Sequence, residues 1–170
     1  MGGPSPLPIE DITDEPTAFA FLLGVLFNQR MKAERAWRAP YELSSRIGGM
    51  GPDKILVLPL PVFTERFASP FAIHPFKFAM AENTYRAAEI VSADYDGDAR
   101  NIWTDVTASQ FTARLQRFPG IGAGKARVAL FVATVALGIR VRADSGFYSI
   151  KSCGSLAALY HPVHQPLLVN

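Results

Sequence analysis

The chain predicts an all-α fold on three observations. Apolar residues recur at helical spacing in several segments, nothing alternates with period two over a useful length, and Arg114 to Gly138 reads as helix, tight turn, helix. No internal repeat is visible. A length of 170 residues fits one domain, or two small lobes sharing a core, and is enough to bury a sizeable interior. Hydrophobic residues at 49% against charged residues at 19% argue for a compact globule and exclude a disordered chain.

In chain order, residues 1–12 are rich in Gly and Pro and are expected to form a flexible N-terminal arm, with one compact domain over residues 13–170. Asp14 is placed to cap a helix that has Glu15 and Pro16 in its first turn. Phe19, Leu22, Leu23 and Leu26 repeat on one face of that helix, and Phe21 and Val25 widen it, so it should lie deep in the core. Asn28-Gln29-Arg30 interrupts the run. A second helical segment is expected from Met31 to Arg38, stopping before Pro40, and a short third one from Tyr41 to Ile47, ended by Gly48-Gly49. Asp53 to Pro75 reads as short helices broken by Pro59, Pro61, Pro70 and Pro75, with Ile55, Leu56, Leu58, Val62, Phe63 and Phe67 available to the core. Phe76 to Tyr95 is a long helix, Asp96-Gly97-Asp98 a turn, and Ala99 to Asp105 a short helix carrying Trp103. Thr107 caps the next helix, with Gln110 three residues on as in a capping box.

The hairpin Phe118-Pro119-Gly120-Ile121-Gly122 is compact and nearly free of side chains: Pro119 cannot continue the preceding helix, and the glycines let backbone approach a ligand. It opens into a helix beginning at Ala123 and ended by Gly138. Unpaired amides and the positive end of the helix dipole at that point suit a phosphate. Charge agrees, since no carboxylate lies between Asp105 and Asp144 while Arg114, Arg117, Lys125, Arg127, Arg140 and Arg142 do. A structural turn whose cations merely solvate it is the alternative. The net charge of +2 says little beside this clustering.

Other function classes are set aside by what the sequence lacks. No apolar run reaches membrane-spanning length and no basic-then-apolar leader opens the chain, so a cytoplasmic protein without a membrane partner is expected. There is neither a Gly-x-x-x-x-Gly-Lys loop nor a dinucleotide fingerprint, so no nucleotide cofactor is expected. Cys153 stands alone and reads as packing, and His161 and His164 lack further metal ligands nearby. His74 faces a base pocket or fills a loop, and Tyr85, Phe147 and Tyr148 are either stacking aromatics or core.

Phe-Pro-Gly-Ile-Gly-x-x-Lys-Ala resembles the Leu-Pro-Gly-Val-Gly-x-x-x-Ala signature of the helix-hairpin-helix DNA glycosylase superfamily, which includes endonuclease III. Phe21 to Gln29 is similar to the family's first core helix, which ends in a glutamine beside DNA. Met80-Ala81-Glu82-Asn83, followed by Asp96-Gly97-Asp98, is similar to the Lys-Ala-Glu-Asn helix and Asn-Gly-Glu of endonuclease III. The likeness runs from Pro16 to Leu137, and Tyr95 to Asp98 with Trp103 to Val106 resembles a bacterial subgroup more closely.

The resemblance implies a two-lobed helix-hairpin-helix glycosylase-like fold, here without the iron–sulfur cluster of some members because that cluster needs four cysteines and the chain has one. It implies excision of a base flipped from double-stranded DNA by a monomer. Gly120, Ile121, Gly122, Gly124, Lys125 and Arg127 would bind DNA, and K+ or Na+ would sit on the carbonyls of Phe118 and Gly120 with no side-chain metal ligand. Gln29 would enter the duplex at the vacated position, or else it is a capping amide at a polar break.

Asp144 is the acid in reach of the family's catalytic aspartate position, although its Arg142-Ala143-Asp144-Ser145-Gly146 context departs from Val-Asp-Thr-His, and a helix cap or solvated loop residue is the alternative. The family's lyase lysine falls at Gly124, with Lys125 about 100° further round the helix. A monofunctional glycosylase that uses water is therefore expected. The alternative is a non-catalytic binder of damaged or distorted DNA.

Overall fold

A computed structural model describes residues 12–144. Phe147, Tyr148, Cys153, His161 and His164 lie outside the described residues, as does the expected arm except Ile12, which is buried. The described residues are helical, joined by turns, with a lone bridge between Thr107 and Arg142. They divide into two compact units: the chain through Asn101 together with Phe118–Gly120, and Ile102–Arg117 together with the chain from Ile121.

The first unit is built on α1 (Glu15–Phe27), buried without interruption from Ala18 to Phe27. Asp14 caps it, accepting from the Thr17 amide at 2.8 Å, and Pro16 sits in the first turn, where no amide partner is lost. A helix apolar all round must be enclosed by others. α2 (Ala33–Ile47) covers one side, with Trp37 stacked on Phe21 at 5.5 Å and pressed so close to Gly24 that a Cβ there would collide with the indole.

α2 runs straight through Pro40, where the sequence suggested two separate helices. The proline removes one amide donor, but Ala36, Trp37, Ala39, Pro40 and Leu43 form a continuous buried face, and that burial outweighs the lost bond. Gly48, at φ +83°, ends it.

α3 (Pro52–Leu56) and α4 (Leu60–Ala68) are the short helices expected between prolines, although Pro61 lies within the first turn of α4 instead of breaking it. Ile55, Phe63 and Phe67 are buried, whereas Val62 is exposed and Leu56 and Leu58 are half-buried. Arg46 of α2 reaches the end of α4 and donates to the carbonyls of Arg66, Phe67 and Ser69 at 3.0, 3.3 and 3.0 Å, satisfying acceptors that a helix end leaves unpaired.

α5 (Lys77–Asp94) packs on α3 and α4. It ends where Asp96 and Gly97 take positive φ and the Gly97 amide returns to the Val91 carbonyl at 2.9 Å. A 3-10 turn (Ala99–Ile102) follows, shorter than the expected helix, and leaves Trp103 in a turn against Phe111.

The second unit holds α6 (Ala108–Leu115) and α7 (Ala123–Phe131), which pack together. Thr107 and Gln110 form the capping box read from the sequence. α7 continues into a π-helical turn, Val132–Ala136, and Gly138 at φ +66° closes the segment.

Asp98 organises the turn after α5. Its carboxylate accepts from the Arg100 amide at 2.9 Å and from the Arg100 guanidinium at 2.7–3.0 Å, while Arg100 also donates to the Thr13 carbonyl at 2.8 Å. The guanidinium hydrogen bonds hold the Asp98 carboxyl below its ordinary 3.8. A carboxyl depressed in the folded state contributes stability above its unfolded value, and that contribution disappears as pH falls through the folded value. Asp98→Asn should therefore melt below the native protein at pH 7, with the difference closing as acid protonates Asp98. A difference in melting temperature constant from pH 7 to pH 2 would contradict this.

Candidate nucleic-acid interface

The hairpin's first half belongs to the first unit. Phe118 is buried, its ring stacked on Tyr95 at 6.3 Å and 18°, so the turn is anchored by its leading side chain. Pro119 and Gly120 are exposed. Gly120 has φ +87°, and a Cβ there would stand 2.7 Å from Nδ2 of Asn83 on α5 and 2.9 Å from Cδ1 of Leu26 on α1. Both the dihedral and the space demand glycine. Asn83 and Leu26 thus form the wall against which the turn lies.

The second half belongs to the other unit. Ile121 is buried. Gly122 is the extended N-cap of α7, without a side-chain cap, and Gly122, Ala123 and Gly124 are exposed. No atom lies within 4 Å of where a Cβ at Gly122 or Gly124 would stand. The N-terminus of α7 therefore presents backbone amides with little side-chain cover. Arg127 is exposed beside it, and Lys125 is half-buried, its amine pushed down by burial.

The basic run is not all available to a ligand. Arg114 donates to the Ile102 carbonyl at 3.0 Å, and Arg142 to the Asp105 carbonyl at 3.1 Å, with the Asp105 carboxylate 3.7 Å away. Arg117, Arg127 and Arg140 are exposed.

Asp144 lies at the first turn of α6, where its carboxylate accepts from the Ser109 amide at 3.0 and 3.3 Å. Paired backbone bonds, Ala108 to Arg142 and Arg142 to Val106, each 2.9 Å, bring the segment there. The observed contact is that of a helix-capping carboxylate, at the start of α6.

In the first unit, Gln29 is exposed just past α1. The turn that carries it is closed by its own amide on the Phe27 carbonyl at 2.7 Å, with Arg30 at φ +52°. That carbonyl has a second partner, His74 Nε2 at 3.1 Å, while His74 Nδ1 accepts from the Phe76 amide at 3.0 Å. An accepting Nδ1 fixes the neutral ring with its proton on Nε2, which donates to Phe27. His74 is fully buried. It ties the loop before α5 to the Gln29 turn.

That loop and the first turn of α5 display residues that the sequence analysis does not single out. Phe71, Phe76 and Phe78 are exposed, Arg30 lies over the Phe76 ring at 5.7 Å, and Lys77 lies over Phe78 at 5.0 Å. Phe76-Lys77-Phe78, a cation between two aromatics after a proline, was the available signal. Tyr85 is not a stacking residue: its hydroxyl donates to the Leu58 carbonyl at 3.0 Å and its ring packs on Phe63. Among the described residues no group of three His, Cys, Asp or Glu side chains is placed to hold a metal ion, and no helix is long and apolar enough to cross a membrane.

No protein-family model matches the chain, and neither does any curated protein. Among solved structures, it is similar to a trapped endonuclease III–DNA covalent intermediate in an estranged-adenine complex, with 18% identity, a TM-score of 0.50, and coverage of 75% of this chain and 54% of that chain. This chain thus spans about half the length of that protein. The likeness is one of fold, an all-α helix-hairpin-helix glycosylase architecture.

Three substitutions test the site's construction. Gly120→Ala should lose about 2–4 kcal/mol of stability in urea unfolding, from the left-handed backbone and the pressure on Asn83 and Leu26, while Gly122→Ala should stay within about 0.5 kcal/mol. Equal stability of the two would refute the geometry. His74→Leu, which strands the Phe76 amide, should cost about 1–3 kcal/mol in the same assay. No loss of stability would show that His74 does not bridge the two loops.

Proposed function

We propose that the protein is a monofunctional DNA glycosylase that hydrolyses the bond between the sugar and a damaged or mismatched base flipped out of duplex DNA. The observation that carries the reading is the hairpin: exposed glycine backbone running into the uncapped N-terminus of α7, in a stretch free of carboxylates from residue 106 to 143. The fold-level likeness to an endonuclease III–DNA complex supports handling of DNA, and the Tyr95–Asp98 and Trp103–Val106 segments support the bacterial subgroup. The protein acts as a cytoplasmic monomer in this reading.

Backbone amides of Gly120, Ile121, Gly122 and Gly124 and the side chains of Lys125 and Arg127 grip phosphates, fixing the duplex without reading its sequence. Gln29 offers its amide to the base left without a partner, and the exposed Phe76 ring provides a face for a neighbouring base. The bond from the sugar C1′ to the base nitrogen breaks with its electron pair leaving on the base. Asp144, oriented by the Ser109 amide, stabilises the resulting cation, and water adds at C1′ and gives up a proton to leave an abasic sugar. K+ or Na+ belongs to the same proposal: neutral carbonyls at Phe118 and Gly120, in a turn without a carboxylate, suit a monovalent ion.

A panel of lesion-bearing duplexes tests the activity, comparing the native protein with Asp144→Asn. Excision of one lesion, exposed as strand breaks only after alkali and reduced about 100-fold or more in the variant, is expected. Binding without excision by either protein would make it a non-catalytic DNA-binding module. Gly124→Lys should fit, since the position is open, and should add strand cleavage without alkali and an adduct trapped by borohydride. A trapped adduct with the native protein would instead make Lys125 a nucleophile and end the monofunctional assignment.

A further inference from the structure

α2 begins three residues after the Gln29-Arg30 turn, and its first two turns carry a second cluster of positive charge. Lys32, Arg35 and Arg38 are exposed and line one shallow groove of about 280 Å³ together with Glu34, Ala39 and Glu42. Glu42 is engaged by Arg46 at 2.8 Å, so its charge is largely answered within the protein. Among the described residues Lys32, Arg35 and Arg38 have no carboxylate within ion-pair distance, which leaves three cations against Glu34 alone. Lys32 is the N-cap and supplies no side-chain acceptor, so the positive end of a 15-residue helix adds to the same field.

The spacing suits a linear polyanion. Positions 32, 35 and 38 form one ridge at steps of three residues, and at 1.5 Å per residue they extend over roughly 9 Å of helix. A DNA strand carries one phosphate per 3.4 Å of axis, so that ridge matches about two or three consecutive phosphates. Three long, flexible cations in one row along the helix, answered by Glu34 alone, fit the evenly spaced charges of a phosphate backbone.

We propose that the groove on the first turns of α2 is a second DNA-backbone site, separate from the hairpin, in which Lys32, Arg35 and Arg38 hold phosphates of a strand that passes the Gln29 turn. This rests on the reading of the protein as one that acts on duplex DNA. The site supplies sequence-independent affinity and carries no part of the bond-breaking step.

The triple variant Lys32→Ala/Arg35→Ala/Arg38→Ala tests it by fluorescence anisotropy with a labelled duplex of about twenty base pairs across 50–200 mM salt. The side chains are exposed, and a thermal melt checks that the variant is folded. Each lost phosphate contact should reduce the slope of log affinity against log salt by about 0.9, so a reduction of about 2–3 is expected, with affinity at 50 mM salt falling at least tenfold. A native protein that binds duplex and a folded variant with the same slope would overturn the α2 site while leaving the hairpin reading intact. A native protein that binds no duplex would overturn both. Loss of poly-glutamate binding in the variant with duplex binding unchanged would overturn the assignment to DNA.

Discussion

The local structure of the hairpin depends on Gly120. Its left-handed backbone lets the turn lie against Leu26 of the core helix and Asn83 of α5 where a methyl group has no room, and Phe118 locks the approach by stacking on Tyr95. From there the chain passes directly into Ile121 and the start of α7. Because the turn is fixed by side chains of α1, α5 and the Tyr95 turn, its exposed backbone needs no side chains of its own. A ligand meeting Pro119 and Gly120 therefore meets peptide groups whose geometry is set before binding, which reduces the ordering cost of association.

Charge is divided according to what each cation can reach. Arg46, Arg100, Arg114 and Arg142 donate to backbone carbonyls at helix ends and turns, so a count of basic residues overstates what a polyanion can find. Arg117, Arg127, Arg140, Lys32, Arg35 and Arg38 are exposed. Lys125 stands between these groups: half-buried, it loses some preference for its charged form and would regain it beside a phosphate.

What could be read from the sequence was local. The Asp14 cap, the Thr107–Gln110 capping box, the Gly48 stop and the Asp96-Gly97 turn are decided within four residues, and each is found where the residue types require. The continuity of α2 was not legible, because Pro40 is a local breaker while the burial that overrides it comes from packing on α1 and α4, which no local pattern reports. Tyr85 and His74 illustrate the same limit. Their hydrogen bonds reach 27 and 47 residues along the chain, and nothing near either residue signals the Leu58 or Phe27 carbonyl. Asp144 was recognisable as the acid that follows the hairpin helix, at a slightly long spacing. Its contact with the Ser109 amide, 35 residues away, could not be foreseen.

If the hairpin backbone receives a DNA phosphate, amide chemical shifts report on it directly. The 15N-labelled protein would be titrated with a short duplex and its amide spectrum followed. The largest shifts are expected at Gly120, Ile121, Gly122 and Gly124, abolished by high salt. Saturable duplex binding that leaves these four amides unmoved would contradict it.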